Sequence, residues 1–156
     1  MTTSNPLAVE PVETPGIDPR GPRFTASVTL VVLAAALVSP SATVSAVLMA
    51  VQGVFFAIGV LAGVQHTPTG WVFRTLVRPR LAPTSEREDP RPPRFAQLVG
   101  LVFAVVSAIG YATGAVLLGQ IAAGFALAAA FLNAVFGFCL GCEMYLLGLR
   151  MVRRPA

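Results

Sequence analysis

Asp18-Pro19-Arg20-Gly21-Pro22-Arg23-Phe24 opens an apolar stretch that runs to Val64, and Asp89-Pro90-Arg91-Pro92-Pro93-Arg94-Phe95 opens a second that runs to Cys142. The two heptapeptides lie 71 residues apart and lead into the same kind of segment, so the chain reads as a tandem repeat. Each stretch is nearly free of charge and about twice the ~20 residues that a helix needs to cross the hydrocarbon core of a bilayer. Each therefore predicts a helical hairpin. The first hairpin turns at Ser39-Pro40-Ser41, and the repeat offset maps that turn onto Gly110-Tyr111-Ala112, inside the segment Gly110 to Gly114. Helices are expected near 22–38, 43–65, 95–111 and 115–149.

Composition points to the same solvent. Hydrophobic residues make up 55% of the 156 and charged residues only 12%, with a mean hydropathy of +0.75. That is more apolar surface than a soluble domain of this length can bury. A closed membrane barrel would alternate apolar and polar residues, whereas these runs are apolar throughout. The fold class is all-α: an integral membrane four-helix bundle built from two parallel helical-hairpin repeats. A signal-peptide reading of the first run, suggested by the small residues near Ser45-Ala46, is opposed by Glu10, Glu13 and Asp18 upstream, where a signal would be basic.

All eleven basic residues are arginine, and they fall in the N-terminal flank, the central loop and the C-terminal tail. The two hairpin turns hold none, so the positive-inside rule places the Arg-rich side and both termini in the cytoplasm. Two helices per unit make the halves parallel, related by an axis along the membrane normal. The pI near 10 does not indicate nucleic acid, because these arginines flank spans without interleaved stacking aromatics. The expected organisation is a disordered cytoplasmic tail over 1–17, a first hairpin over 18–65, a cytoplasmic loop over 66–88 and a second hairpin over 89–150. Within the loop, Val72, Phe73, Leu76 and Val77 share one arc and Arg74 and Arg78 another, which predicts a short interfacial helix with Trp71 at headgroup depth, ended by Pro79.

Gly59 and Gly63, Gly110 and Gly114, and Gly137 and Gly141 each form Gly-x-x-x-Gly, expected to serve packing inside the bundle more than homodimerisation, which stays open. Gln52 and Asn133 lie inside spans and are expected to hydrogen-bond to neighbouring helices; a transported solute is the alternative.

Only the second repeat carries Cys139-Leu140-Gly141-Cys142, followed by Glu143. A helix from Ala115 would rise ~36 Å by Cys139, past the ~30 Å core, so the pair is expected at the cytoplasmic interface. Late in a helix, the negative end of the dipole and Glu143, at i+4 from Cys139, would oppose a thiolate, while nearby arginines would favour it. Helical i,i+3 side chains also stand too far apart for a disulfide, so closure calls for unwinding, with Gly141 as the expected hinge. Three chemistries fit these residues: thiol-disulfide exchange, sulfur relay through a persulfide, and metal binding with His66 as a third ligand. The bland alternative is a pair of small interfacial residues without chemistry. The candidate site is Cys139, Cys142 and Glu143, with no cofactor and no metal expected.

The Asp18–Phe24 opening, the segment Phe73-Arg74-Thr75-Leu76-Val77-Arg78-Pro79-Arg80-Leu81, the run Pro93-Arg94-Phe95-Ala96-Gln97 and Ala134 to Glu143 together resemble the bacterial integral-membrane family called domain of unknown function 4395, over roughly residues 16 to 150. Phe138-Cys139-Leu140-Gly141-Cys142-Glu143 is the specific element. The resemblance implies a four-helix protein of the bacterial inner membrane, associated with thioredoxin-like or sulfurtransferase partners. The expected function is thiol redox or sulfur handling by a cytoplasm-facing dithiol in a multi-pass protein of the lipid bilayer. The alternative is a membrane scaffold or small-solute transporter without thiol chemistry.

Overall fold

In the computed structural model, described here over residues 16–152, four long helices account for the two apolar stretches: α1 (Arg20–Val38), α2 (Ala42–Ala62), α4 (Arg91–Ala112) and α5 (Val116–Phe136). A short α3 (Pro68–Val72) lies in the central loop, and α6 (Leu140–Val152) follows α5. The four long helices have the length and apolarity to cross a membrane. Each rises about 28–33 Å at 1.5 Å per residue, close to the ~30 Å hydrocarbon thickness. The protein is an all-α, multi-pass membrane bundle.

The first turn comes where expected, with Ser41 as the N-cap of α2. The second falls slightly later, at Thr113 to Ala115, because Gly114 and not Gly110 takes the positive φ of 83°. Gly110 instead lets α4 meet α5 backbone to backbone, since a Cβ there would lie 2.6 Å from the Gly119 nitrogen. The buried Ser107 hydroxyl donates to the Gly119 carbonyl at 2.8 Å in the same contact. Each Gly-x-x-x-Gly pair divides its labour in this way. Gly59 receives Gln97 of α4 and Gly141 receives Ala96, while Gly63 and Gly137 close helices at φ 98° and 69°.

The core is built from Leu33, Met49, Phe56, Ala104, Tyr111 and Ala123, with α2 packed on α4, α1 on α5 and α4 on α5. Valines and leucines such as Val31, Val54, Leu61, Val102 and Leu117 point outward, an apolar exterior suited to lipid. Gln52 satisfies the expectation set for it, donating to the buried Thr29 hydroxyl at 3.2 Å.

Residues 71 apart in the two heptapeptides have like roles. The Asp18 carboxylate accepts the Arg20 N–H at 3.0 Å, and that of Asp89 accepts the Arg91 N–H at 2.9 Å. Arg94 donates to the Val60 and Leu61 carbonyls at the end of α2, and Arg23 donates to the Val135 carbonyl at the end of α5. These bonds satisfy helix-terminal carbonyls that have no partner within their own helix. Ile17 and Glu88 exchange both backbone hydrogen bonds at 3.0 Å in an isolated antiparallel bridge. The tail expected to be disordered over 1–17 therefore ends in ordered structure at Gly16 and Ile17; its remainder lies outside the described residues.

Burial pushes the Asp18 carboxyl up, but hydrogen bonds from Arg20 and the charges of Arg20 and Arg78 outweigh it and hold it below its ordinary value. A depressed folded-state pKa contributes stability that is complete above the unfolded carboxylate range and disappears as pH falls through the folded value. Amide protection of Ile17 and Glu88 should thus be flat through neutral pH and drop only below about pH 4. In Asp18→Asn that acid step should vanish, and an unchanged step in the variant would assign it to another group.

The loop helix forms, starting from a Thr67 cap whose hydroxyl accepts the Gly70 N–H at 3.0 Å. It continues through a wider turn at Phe73–Val77 and a tight one at Arg78–Arg80. Phe73 is the buried anchor, 5.8 Å from the Phe24 ring, and Trp71, Arg74 and Arg78 are exposed.

Candidate functional site at the start of the last helix

The helix expected over 115–149 is in fact two. α5 stops at Phe136, where Gly137 takes the left-handed conformation and the Leu132 and Asn133 carbonyls accept the N–H groups of Gly137 and Phe138. A glycine in this conformation is a common helix terminator because it has no Cβ to clash. After Phe138 and Cys139, which belong to no helix, the chain re-enters one at Leu140. Cys139 is the residue before its first turn, and its Sγ accepts the Cys142 N–H at 3.3 Å, the position of an N-cap. The dipole expectation is thereby reversed, since the dithiol stands at the positive end of α6 and not at the negative end of α5.

Cys139 and Cys142 form a disulfide, with their Cα atoms 5.2 Å apart. Unwinding is the means, as anticipated, but it is supplied by Gly137 to Cys139. Gly141 is not the hinge. It is buried against α4, where a Cβ would come within 2.6 Å of the Ala96 Cα. Around this contact Tyr145 of α6 packs on Phe95 with ring centroids 5.7 Å apart. The disulfide is therefore carried on a helix docked firmly to the beginning of α4.

Glu143 lies in the first turn of α6, its N–H donating to the Cys139 carbonyl at 3.0 Å. Its side chain is exposed. A carboxylate there complements the helix dipole, and among the described residues it makes no ion pair or hydrogen bond to the cysteines. His66 stands apart at the end of α2, with Nδ1 2.7 Å from the Ala62 carbonyl oxygen. No group of three His, Cys, Asp or Glu side chains converges among the described residues.

A feature with no counterpart in the linear pattern lies beside the disulfide. A cavity of about 290 Å³ runs between α1, α2, α4 and α5 and ends at Cys139, Leu140 and Gly141. Its walls are mainly alanine, phenylalanine and valine, with Thr25, Thr29, Gln97 and Asn133 as the polar exceptions. Asn133, expected to bond across helices, borders this cavity and has no side-chain hydrogen bond among the described residues.

Fold and site together define a multi-pass helical membrane protein that carries a Cys-x-x-Cys disulfide at the start of a helix docked on its bundle. The chain belongs to the family described as Domain of unknown function (DUF4395), whose model matches residues 17–150. No curated protein and no solved structure is similar enough to the chain to match it.

Proposed function

We propose that this protein performs thiol-disulfide exchange at the cytoplasmic face of a bacterial inner membrane, with Cys139 and Cys142 cycling between disulfide and dithiol. The observation that carries this reading is the position of Cys139 as the cap of α6. A thiolate at a helix N-terminus gains from the dipole and from the N–H that points at it, which is how redox Cys-x-x-Cys sites favour the attacking form. The closed pair favours exchange over a persulfide relay, which needs a free thiolate. A soluble thioredoxin-like dithiol protein is the partner this chemistry fits; Glu143 sits at the exposed rim where such a partner would approach.

Orientation rests on the arginines. Those at positions 20, 23, 74, 78, 80, 87, 91, 94 and 150 all belong to the end of the bundle that holds the disulfide, while the turns at 39–41 and 113–115 carry no charge. The tandem-repeat reading is supported by the matched roles of the two heptapeptides, and it extends further. Gly63 and Gly137, 74 residues apart, both close a second helix, so Gln65 stands in the first copy where Cys139 stands in the second. One copy then serves as scaffold and the other bears the chemistry.

A membrane-impermeant maleimide tests reactivity and side together. After reduction, both thiols should label in inverted vesicles and neither in right-side-out ones, and a mild thiol oxidant should block labelling reversibly. Ser41→Cys in a cysteine-free background should show the opposite sidedness. A pair that cannot be reduced and reoxidised would sink the exchange reading, leaving a scaffold.

A further inference from the structure

We propose that the cavity beside Cys139 binds a lipid-soluble quinone and that the quinone takes the electrons of the Cys139/Cys142 dithiol. The inference rests on the exchange reading above and adds the second redox partner that such a cycle requires. A disulfide that oxidises a soluble dithiol is left reduced, and it must pass two electrons to an acceptor before it can act again. The bundle offers a place for one on its bilayer side.

Four observations converge there. The cavity is walled by the spanning helices α1, α2, α4 and α5, the part of the bundle that a bilayer would surround. Its volume of about 290 Å³ is near the lower end of the ~300–1,000 Å³ usual for ligand pockets. Phe56, Phe103 and Phe125 supply aromatic walls suited to a flat ring. Gln97 and Asn133 bring carboxamides, beside the hydroxyls of Thr25 and Thr29, into a mainly apolar lining, and neither carboxamide has a hydrogen-bond partner among the described residues. Amide N–H groups are the donors that quinone carbonyl oxygens accept. Polar groups left idle within a span are costly unless they serve a ligand or another helix.

The geometry also separates the two partners. Cys139 lines the cavity and Cys142 does not, while Glu143 beyond them faces water. The step balances as follows: the two thiols give up two electrons and two protons as the Cys139–Cys142 S–S bond forms, and the quinone takes up both to become the hydroquinone. A soluble dithiol protein then reopens the disulfide by thiolate attack and leaves as its own disulfide. The net transfer is two electrons and two protons from the soluble dithiol to the membrane quinone.

The test uses full-length protein in vesicles, reduced and freed of reductant, without oxygen. Adding ubiquinone-1 should bleach quinone absorbance to about one equivalent per protein while the disulfide reforms. Ala129→Phe projects a ring into the cavity, and Asn133→Leu removes one amide. Each should slow quinone reduction about tenfold or more, the effect of roughly 1.4 kcal/mol, without changing the rate at which dithiothreitol opens the disulfide. Reoxidation that is as slow with quinone as without it in wild type, with dithiothreitol exchange intact, would overturn the quinone site and leave the exchange reading standing. Quinone reduction at wild-type rate in both variants would place the acceptor outside this cavity and overturn the proposal. A pair that exchanges with neither reagent would remove both readings.

Discussion

In reduced protein, Cys142→Ser, which keeps Cys139 alone, should react with a maleimide on the order of tenfold faster at pH 7 than Cys139→Ser, which keeps Cys142. Cys139 caps α6, where its sulfur accepts the Cys142 N–H at 3.3 Å and meets the positive end of the helix dipole. Cys142 is already inside the first turn, its own N–H spent on that bond. Thiolate is the nucleophile, so a larger thiolate fraction at Cys139 shows directly in the rate. A faster Cys142 would mean that α5 and α6 fuse into one helix when the disulfide opens, taking Cys139 away from a helix N-terminus.

Gly141→Ala should have the second large effect, and it should act on docking. The added methyl would meet the Ala96 backbone at 2.6 Å, with no flexible side chain able to give way. Overpacking of this kind costs about 1–3 kcal/mol. Since α6 is held mainly on α4, the strain should release α6 from the bundle and loosen the Phe95–Tyr145 contact. Protease cleavage within 140–152 should become several-fold faster, and disulfide formation should slow because the Cys142 end of the loop is no longer held. Gly148→Ala, a residue with open space around it, is the matched control and should leave both unchanged.

How much of this could be read from residues alone depends on what each feature is made of. The four spans were legible because twenty or so uncharged residues leave a chain little choice of solvent, and Pro40 marked one turn. Gln52 was legible for the same reason, a polar group in a span needing a partner. The break at Gly137 was not, because Phe138 and Leu140 continue the apolar run and no charge or proline interrupts it. One signal was available: Gly63 ends α2 just before Val64-Gln65-His66, as Gly137 ends α5 just before Phe138 and Cys139. Missing that break put Cys139 and Cys142 on the wrong end of a dipole and made Gly141 a hinge instead of a contact. The cavity left still less trace, since its walls come from residues such as Thr29, Phe56, Gly100 and Ala129 on four helices, and its space depends on how those helices cross.

The guanidinium of Arg94 on the Val60 and Leu61 carbonyls has a bearing on biosynthesis. A ribosome completes α2 about 33 residues before it adds Arg94. At ~5–20 residues per second, that is a wait of roughly 2–7 seconds. Through that interval the end of the first hairpin has only water or lipid headgroups for those carbonyls, so it must stay at the interface until the second hairpin arrives. Arg23 waits longer, because the Val135 carbonyl that it serves is made only as α5 is completed. The two latches therefore close in sequence, and the disulfide helix, translated after α5, docks on a bundle whose ends are already sealed.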